Sequence, residues 1–174
     1  MWNSTWLLLD YLARKGLPPG SRLLDAGCGW GLTSICGARR HGAQVTAVDI
    51  DPEVFPFLNL HADLNQVKIR TLEAGFGQIS TPLLQRQDVL TGADICFKDQ
   101  LVVPLYHLIE GALEAGVQQV VIADPGRRPF KKLSAECSQK LGAVLHDWQT
   151  PEPLIDWPGA VPWIRGHLLI LSNS

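Results

Sequence analysis

Three glycines at alternate positions, in Leu23-Leu24-Asp25-Ala26-Gly27-Cys28-Gly29-Trp30-Gly31, fix more of this chain's architecture than any other stretch. An apolar, strand-like run ends on an acid, and a helical pattern begins at Leu32. Glycines at this density weaken both helix and strand, so the segment between is a turn. A strand that passes through a glycine turn into a helix N-terminus presents unpaired backbone N–H groups and few Cβ atoms. That combination makes a pocket for a polar, charged ligand. The spacing Gly27-x-Gly29-x-Gly31 departs from the G-x-G-x-x-G of dinucleotide-binding folds.

The rest of the chain alternates strand and helix patterns, which argues for a parallel sheet covered by helices on both faces. Expected strands are 22–25, 44–49, 67–72, 89–96, 119–123, 143–148 and 167–171. Expected helices are 5–15, 32–40, 52–65, 101–115 and 129–141, and 73–87 is a loop or short helical turns. Val120-Val121-Ile122 reads as a strand buried on both faces. Pro151, Pro153, Pro158 and Pro162 stiffen the connection before the last strand. The fold class is therefore α/β: a doubly wound, Rossmann-like, mostly parallel sheet in a single domain, 1–174.

Composition excludes several function classes. With 46% apolar and 18% charged residues, the chain is an ordinary globular domain. A formal charge of −2 gives no basis for a nucleic-acid surface. Cys28, Cys36, Cys96 and Cys137 form no C-x-x-C pair and no metal spacing, so they read as thiols in a reducing compartment, with no metal site. No apolar run is long enough to cross a bilayer and no leader pattern opens the chain, so the expectation is cytoplasmic, without membrane association. Nothing in the sequence speaks to oligomeric state.

Two acids then sharpen the ligand. Asp25 ends the first strand, and Asp49 ends the second, where a carboxylate can accept from both hydroxyls of a ribose. Asp25 with Gly27, Gly29 and Gly31 resembles motif I of the class I methyltransferases, which bind S-adenosylmethionine, and the likeness extends over essentially the whole chain. The resemblance implies seven strands with an antiparallel last strand inserted between the fifth and sixth. It implies that Asp25 lies near the amino-acid end of the cofactor, that Asp49 takes the ribose, that Ile50 packs on the adenine and that Glu73 meets the adenine edge. Trp30, inside the glycine loop, is a further candidate for contact with the cofactor.

The acceptor side is read from Asp94-Ile95-Cys96-Phe97, which resembles the D-x-x-[FY] motif of the seven-strand protein-lysine methyltransferases, and from Asp124-Pro125-Gly126-Arg127. The latter is similar to the strand end of the enzymes that methylate the electron-transfer flavoprotein β-subunit. The resemblance implies that Asp94 orients the acceptor amine, Phe97 walls the pocket, Asp124 lines the acceptor side and Arg127 clamps an acidic group. That family usually carries P-[FY]-W ahead of its first helix; here Met1-Trp2-Asn3-Ser4-Thr5-Trp6 stands there, and Trp2 and Trp6 are the candidates to close the pocket. The basic run Arg127-Arg128-Pro129-Phe130-Lys131-Lys132 suits an acidic protein surface better than nucleic acid. His61 and His107 read as surface or satisfied histidines. Three readings stay open: methylation of protein lysine, methylation of a small-molecule amine, and a non-catalytic module that binds S-adenosylmethionine.

Overall fold

The structure is a computed structural model that describes residues 3–150 and 163–173. Trp2, Trp157 and the four prolines 151–162 lie outside the described residues.

Seven strands form one sheet: β1 (Arg22–Ala26), β2 (Gln44–Asp49), β3 (Ile69–Glu73), β4 (Val89–Ala93), β5 (Gln119–Asp124), β6 (Val144–Gln149) and β7 (Arg165–Ser172). Their order is β3-β2-β1-β4-β5-β7-β6. The first five run parallel, and β7 enters antiparallel to both β5 and β6, as expected. The order reverses between β1 and β4. At such a switch point the loops leaving neighbouring strands diverge and open a crevice at their carboxyl ends.

Among the described residues, six helices cover the sheet: α1 (Asn3–Lys15), α2 (Leu32–His41), α3 (Phe55–Leu64), α4 (Thr81–Leu84), α5 (Val102–Glu114) and α6 (Arg128–Leu141). One apolar layer joins α5 and α6 to the sheet through Leu90, Leu105, Ile109, Ile122, Phe130 and Leu133. The other packs α1 on the opposite face through Leu7, Leu8, Leu12, Leu23, Val121 and Leu168. Burying each such side chain contributes roughly 1.5–3 kcal/mol against chain entropy. Asp10 anchors α1 to the far edge of the sheet: it accepts from Trp148 Nε1 at 2.8 Å and from Arg14 Nε at 2.9 Å. Among the described residues, no helix is long and apolar enough to cross a membrane.

Several expected boundaries shift by one or two residues, and three changes have a clear local reason. The fourth strand ends at Ala93, not Cys96, because Asp94 adopts a left-handed conformation (φ 61°) and turns the chain. Ile95 and Cys96 are buried by loop packing instead of by the sheet. The expected helix 52–65 is a 3₁₀ turn, Pro52–Val54, followed by α3, with the Asp51 carboxylate accepting from Glu53 N–H at the turn's start. The helix expected at Leu101 likewise begins with a 3₁₀ turn at Asp99–Leu101.

Candidate functional site

The loops after β1, β2, β3 and β4 wall an open cleft of about 1460 Å³, roofed on one side by Thr5, Trp6 and Leu9 of α1. Its floor is the glycine loop. Gly27 (φ 65°) and Gly31 (φ 81°) are left-handed, and both have close neighbours. A Cβ on Gly27 would lie 2.5 Å from Ile95 Cγ2, and one on Gly31 would lie 2.6 Å from Leu58 Cγ. Only glycine satisfies both demands, so the loop hugs α3 and the β4 loop. Gly29 differs: a Cβ there would meet nothing within 4 Å, because it faces the cleft.

Asp49 stands over this loop. Its Oδ2 accepts from Gly29 N–H at 2.9 Å, and its Oδ1 accepts from Asp51 N–H at 3.1 Å. Each carboxylate oxygen accepts more than one bond, so both retain acceptor capacity beyond the loop. The side chain is half-buried and lines the cleft. Two backbone donors thus fix the carboxylate's position while leaving it open to a diol.

Asp25 has another disposition. It is buried at the cleft floor, and both its oxygens are engaged: Oδ2 accepts from Ser34 Oγ at 2.6 Å and Oδ1 from Thr91 Oγ1 at 3.1 Å. The carboxylate ties β1 to the first turn of α2 and to β4. Burial pushes its pKa up to about 6, against the opposing pull of the two hydroxyl donors. Burial, with Asp25 and Asp49 nearby, pushes the Cys28 thiol well up, so the loop holds no ready thiolate.

An apolar wall faces Asp49. Ile50 is 71% exposed, lines the cleft and lies close to Gly75, where a Cβ would sit 3.3 Å from Ile50 Cδ1. Trp30 stacks on Phe57 (centroids 5.1 Å apart, planes 22° apart), with His61 edge-on to it. His61 lines the cleft, a position its helical surroundings in sequence did not reveal. Glu73 is exposed at the end of β3, and the cleft wall beside it is formed by Ala74, Gly75, Phe76 and Gly77. The edge strand β3 ends at Glu73; Ala74 N–H bonds to Asp49 O, and the chain then turns Gly75 and Phe76 inward.

At the opposite end lie Asp94 and Phe97, both lining the cleft. Asp94 Oδ2 accepts from Ser4 N–H at 3.2 Å, and its Oδ1 accepts from Arg127 Nη2. Phe97 is half-exposed at the rim with Lys98 Nζ 5.3 Å from its ring centre. Asp124 ends β5. It is fully buried, and it lies behind the cleft wall. Oδ1 accepts from Gly126 and Arg127 N–H at 2.8 Å each, and Oδ2 from Arg127 Nε at 3.2 Å and Nη2 at 2.8 Å. Arg127 therefore clamps two acids of its own chain. Sequence reading missed this bridge, and also Ser34 and Thr91, because nothing local marks a contact between residues so far apart in the chain.

No protein-family model matches the chain. It is 48% identical over 61 residues to a ubiquinone biosynthesis O-methyltransferase of Xanthomonas campestris pv. campestris, covering 35% of this chain and 25% of that one. It is 33% identical over 132 residues to a ribosomal protein L11 methyltransferase of Bordetella parapertussis, covering 69% and 40%. The chain thus spans a quarter to two-fifths of the length of these curated relatives. Among solved structures, magnesium protoporphyrin IX methyltransferase from Synechocystis with bound S-adenosylmethionine superposes with a TM-score of 0.64 at 16% identity, over 96% of this chain and 76% of that one. With its strand order, its antiparallel β7 and its cleft at the β1/β4 switch point, the chain has the class I methyltransferase fold.

Proposed function

We propose that this chain binds S-adenosylmethionine in the cleft and transfers its methyl group to an amine, the side chain of a lysine in a protein. One observation carries the cofactor reading: Asp49 is held by Gly29 and Asp51 N–H groups with acceptor capacity left toward the cleft, beside a glycine that offers no Cβ. That arrangement fits a ribose diol, and Ile50 supplies an apolar plate for the attached base. Trp30 rims the same end. Asp25 supports the floor near where the amino-acid end would lie, acting through the loop it braces. When bound, S-adenosylmethionine supplies an electrophilic methyl group on sulfonium sulfur.

Methyl transfer to nitrogen is an in-line displacement, so placing the acceptor is the protein's main task. Two carboxylates, Asp94 and Asp124, share one guanidinium, which leaves a formal negative charge at the acceptor end. Such a field favours an approaching ammonium over an anionic or neutral acceptor. Only the neutral amine has a lone pair, so the entering ammonium must first release a proton to solvent. Asp94, which lines the cleft, then accepts from an N–H of that amine and orients its lone pair. Phe97 walls the entrance and offers a π face to the cation. Asp124 acts at one remove, by holding Arg127.

The test is transfer of tritium from methyl-labelled S-adenosylmethionine into a cell lysate. A labelled protein band that survives denaturation, with label on lysine after hydrolysis, is expected. Label only in small molecules would replace the lysine reading with a small-amine acceptor, and specific binding with no transfer would leave a non-catalytic module.

A further inference from the structure

From the charges around the acceptor entrance we infer that the accepted lysine lies in an acidic segment of its protein; this rests on the lysine reading above. The entrance is asymmetric. Inside, Asp94 and Asp124 outnumber Arg127. Outside, the rim is basic. Lys98 lies against the exposed Phe97 ring, and the helix that begins beside it, α6, opens with Arg128, Lys131 and Lys132, all exposed. Arg128 and Lys132 are one helical turn apart and so share a face. Lys132 Nζ reaches Asp99 Oδ1 at 2.5 Å, which places that face beside the segment carrying Phe97 and Lys98. The Lys132 hydrogen bond, with Arg128 adding a smaller pull, holds the Asp99 carboxyl below its ordinary range. Four cations against one acid leave a net positive collar around an entrance whose interior is negative.

The placement also runs against the helix itself. The first turn of α6 holds no acidic residue, and cations there oppose the helix dipole. An acidic segment laid across the collar relieves that opposition, while its lysine enters the negative interior. A phosphate backbone fits the collar alone: four cations within a chain of formal charge −2 give a small footprint, and the interior repels phosphate. Charge complementarity of this kind acts chiefly on encounter and specificity, and it is screened by salt.

The experiment compares three synthetic peptides with one central lysine flanked by Glu/Asp, Ser/Gly or Arg residues, assayed with labelled S-adenosylmethionine on the native chain and on Lys98→Gln/Lys132→Gln. The acid-flanked peptide should exceed the neutral one in kcat/KM by about fivefold at low salt. In the double variant, the gap should shrink to within about twofold, as it should for the native chain in 0.5 M NaCl. S-adenosylhomocysteine binding, measured by calorimetry, should be the same in both proteins. Equal rates on all three peptides, or a preference unchanged by the double variant, would overturn the acidic-segment inference while leaving the lysine reading standing. Label on small amines with none on any peptide would remove the lysine reading itself. Tighter binding of an oligoribonucleotide than of the acid-flanked peptide would give the collar to nucleic acid and overturn the inference.

Discussion

The two ends of the cleft use acids in opposite ways. At the β1–β2 end, Asp49 is held by backbone N–H groups at 2.9 and 3.1 Å, and its remaining acceptor capacity faces open space. At the β4–β5 end, Asp94 and Asp124 are bound by Arg127 and by backbone donors, one of them from the first turn of α1. An acid positioned by main chain is free to bind a ligand. An acid positioned by another charged side chain is first a structural tie, and it acts on a ligand through the charge left over. Asp25, in β1 just ahead of the glycine loop, is also a structural tie, though its partners are neutral: both oxygens accept from hydroxyls of its own chain.

The largest expected effect breaks the tie at the acceptor end. Arg127→Gln leaves Asp124 buried without its cation, and stranding one partner of such a pair typically costs about 3–5 kcal/mol. Urea unfolding should show a loss of that order. A loss below about 1 kcal/mol would mean the bridge is a surface pair and the contrast between the two ends is wrong.

A smaller effect sharpens the place of Asp25. Its pKa is raised to about 6 from an ordinary value of 3.8, so between those limits the folded chain binds more protons at this group than the unfolded chain does. This group's contribution to stability is therefore fully present below about pH 4 and is lost as pH rises through about 6. Asp25→Asn removes that dependence, so the stability of the variant relative to the native chain should climb by about 1–3 kcal/mol from pH 4 to pH 6.5. Denaturant titration at those two pH values checks it. A difference that does not change with pH would mean that Asp25 is better solvated than its burial implies.

These contrasts also show what the sequence made legible. The order of strands and helices follows from apolar runs and glycine stops, and the turn at Gly27–Gly31 follows from spacing alone. The place of Asp49 at the end of β2 was legible from the apolar run before it, and its hold comes from the N–H groups of Gly29 and Asp51, which any residue but proline would supply. The burial of Asp124 was not legible because its partner, Arg127, is a side chain whose direction depends on how α6 docks. The exposure of Glu73 was not legible because it depends on where β3 ends and the cleft wall begins. The end of β4 was missed because Ile95 and Cys96 continue an apolar run, although Asp94 has already turned the chain with a positive φ that sequence does not display.

The central claim, that Asp49 is the ribose acceptor of a bound adenosine cofactor, is tested most directly by calorimetry of S-adenosylhomocysteine with the native chain and with Asp49→Ala. Losing a charge-assisted acceptor should cost about 2 kcal/mol, a weakening of about thirtyfold, with circular dichroism showing the fold intact. Equal affinity for the two proteins, or no binding by the native chain at micromolar concentration, would contradict it.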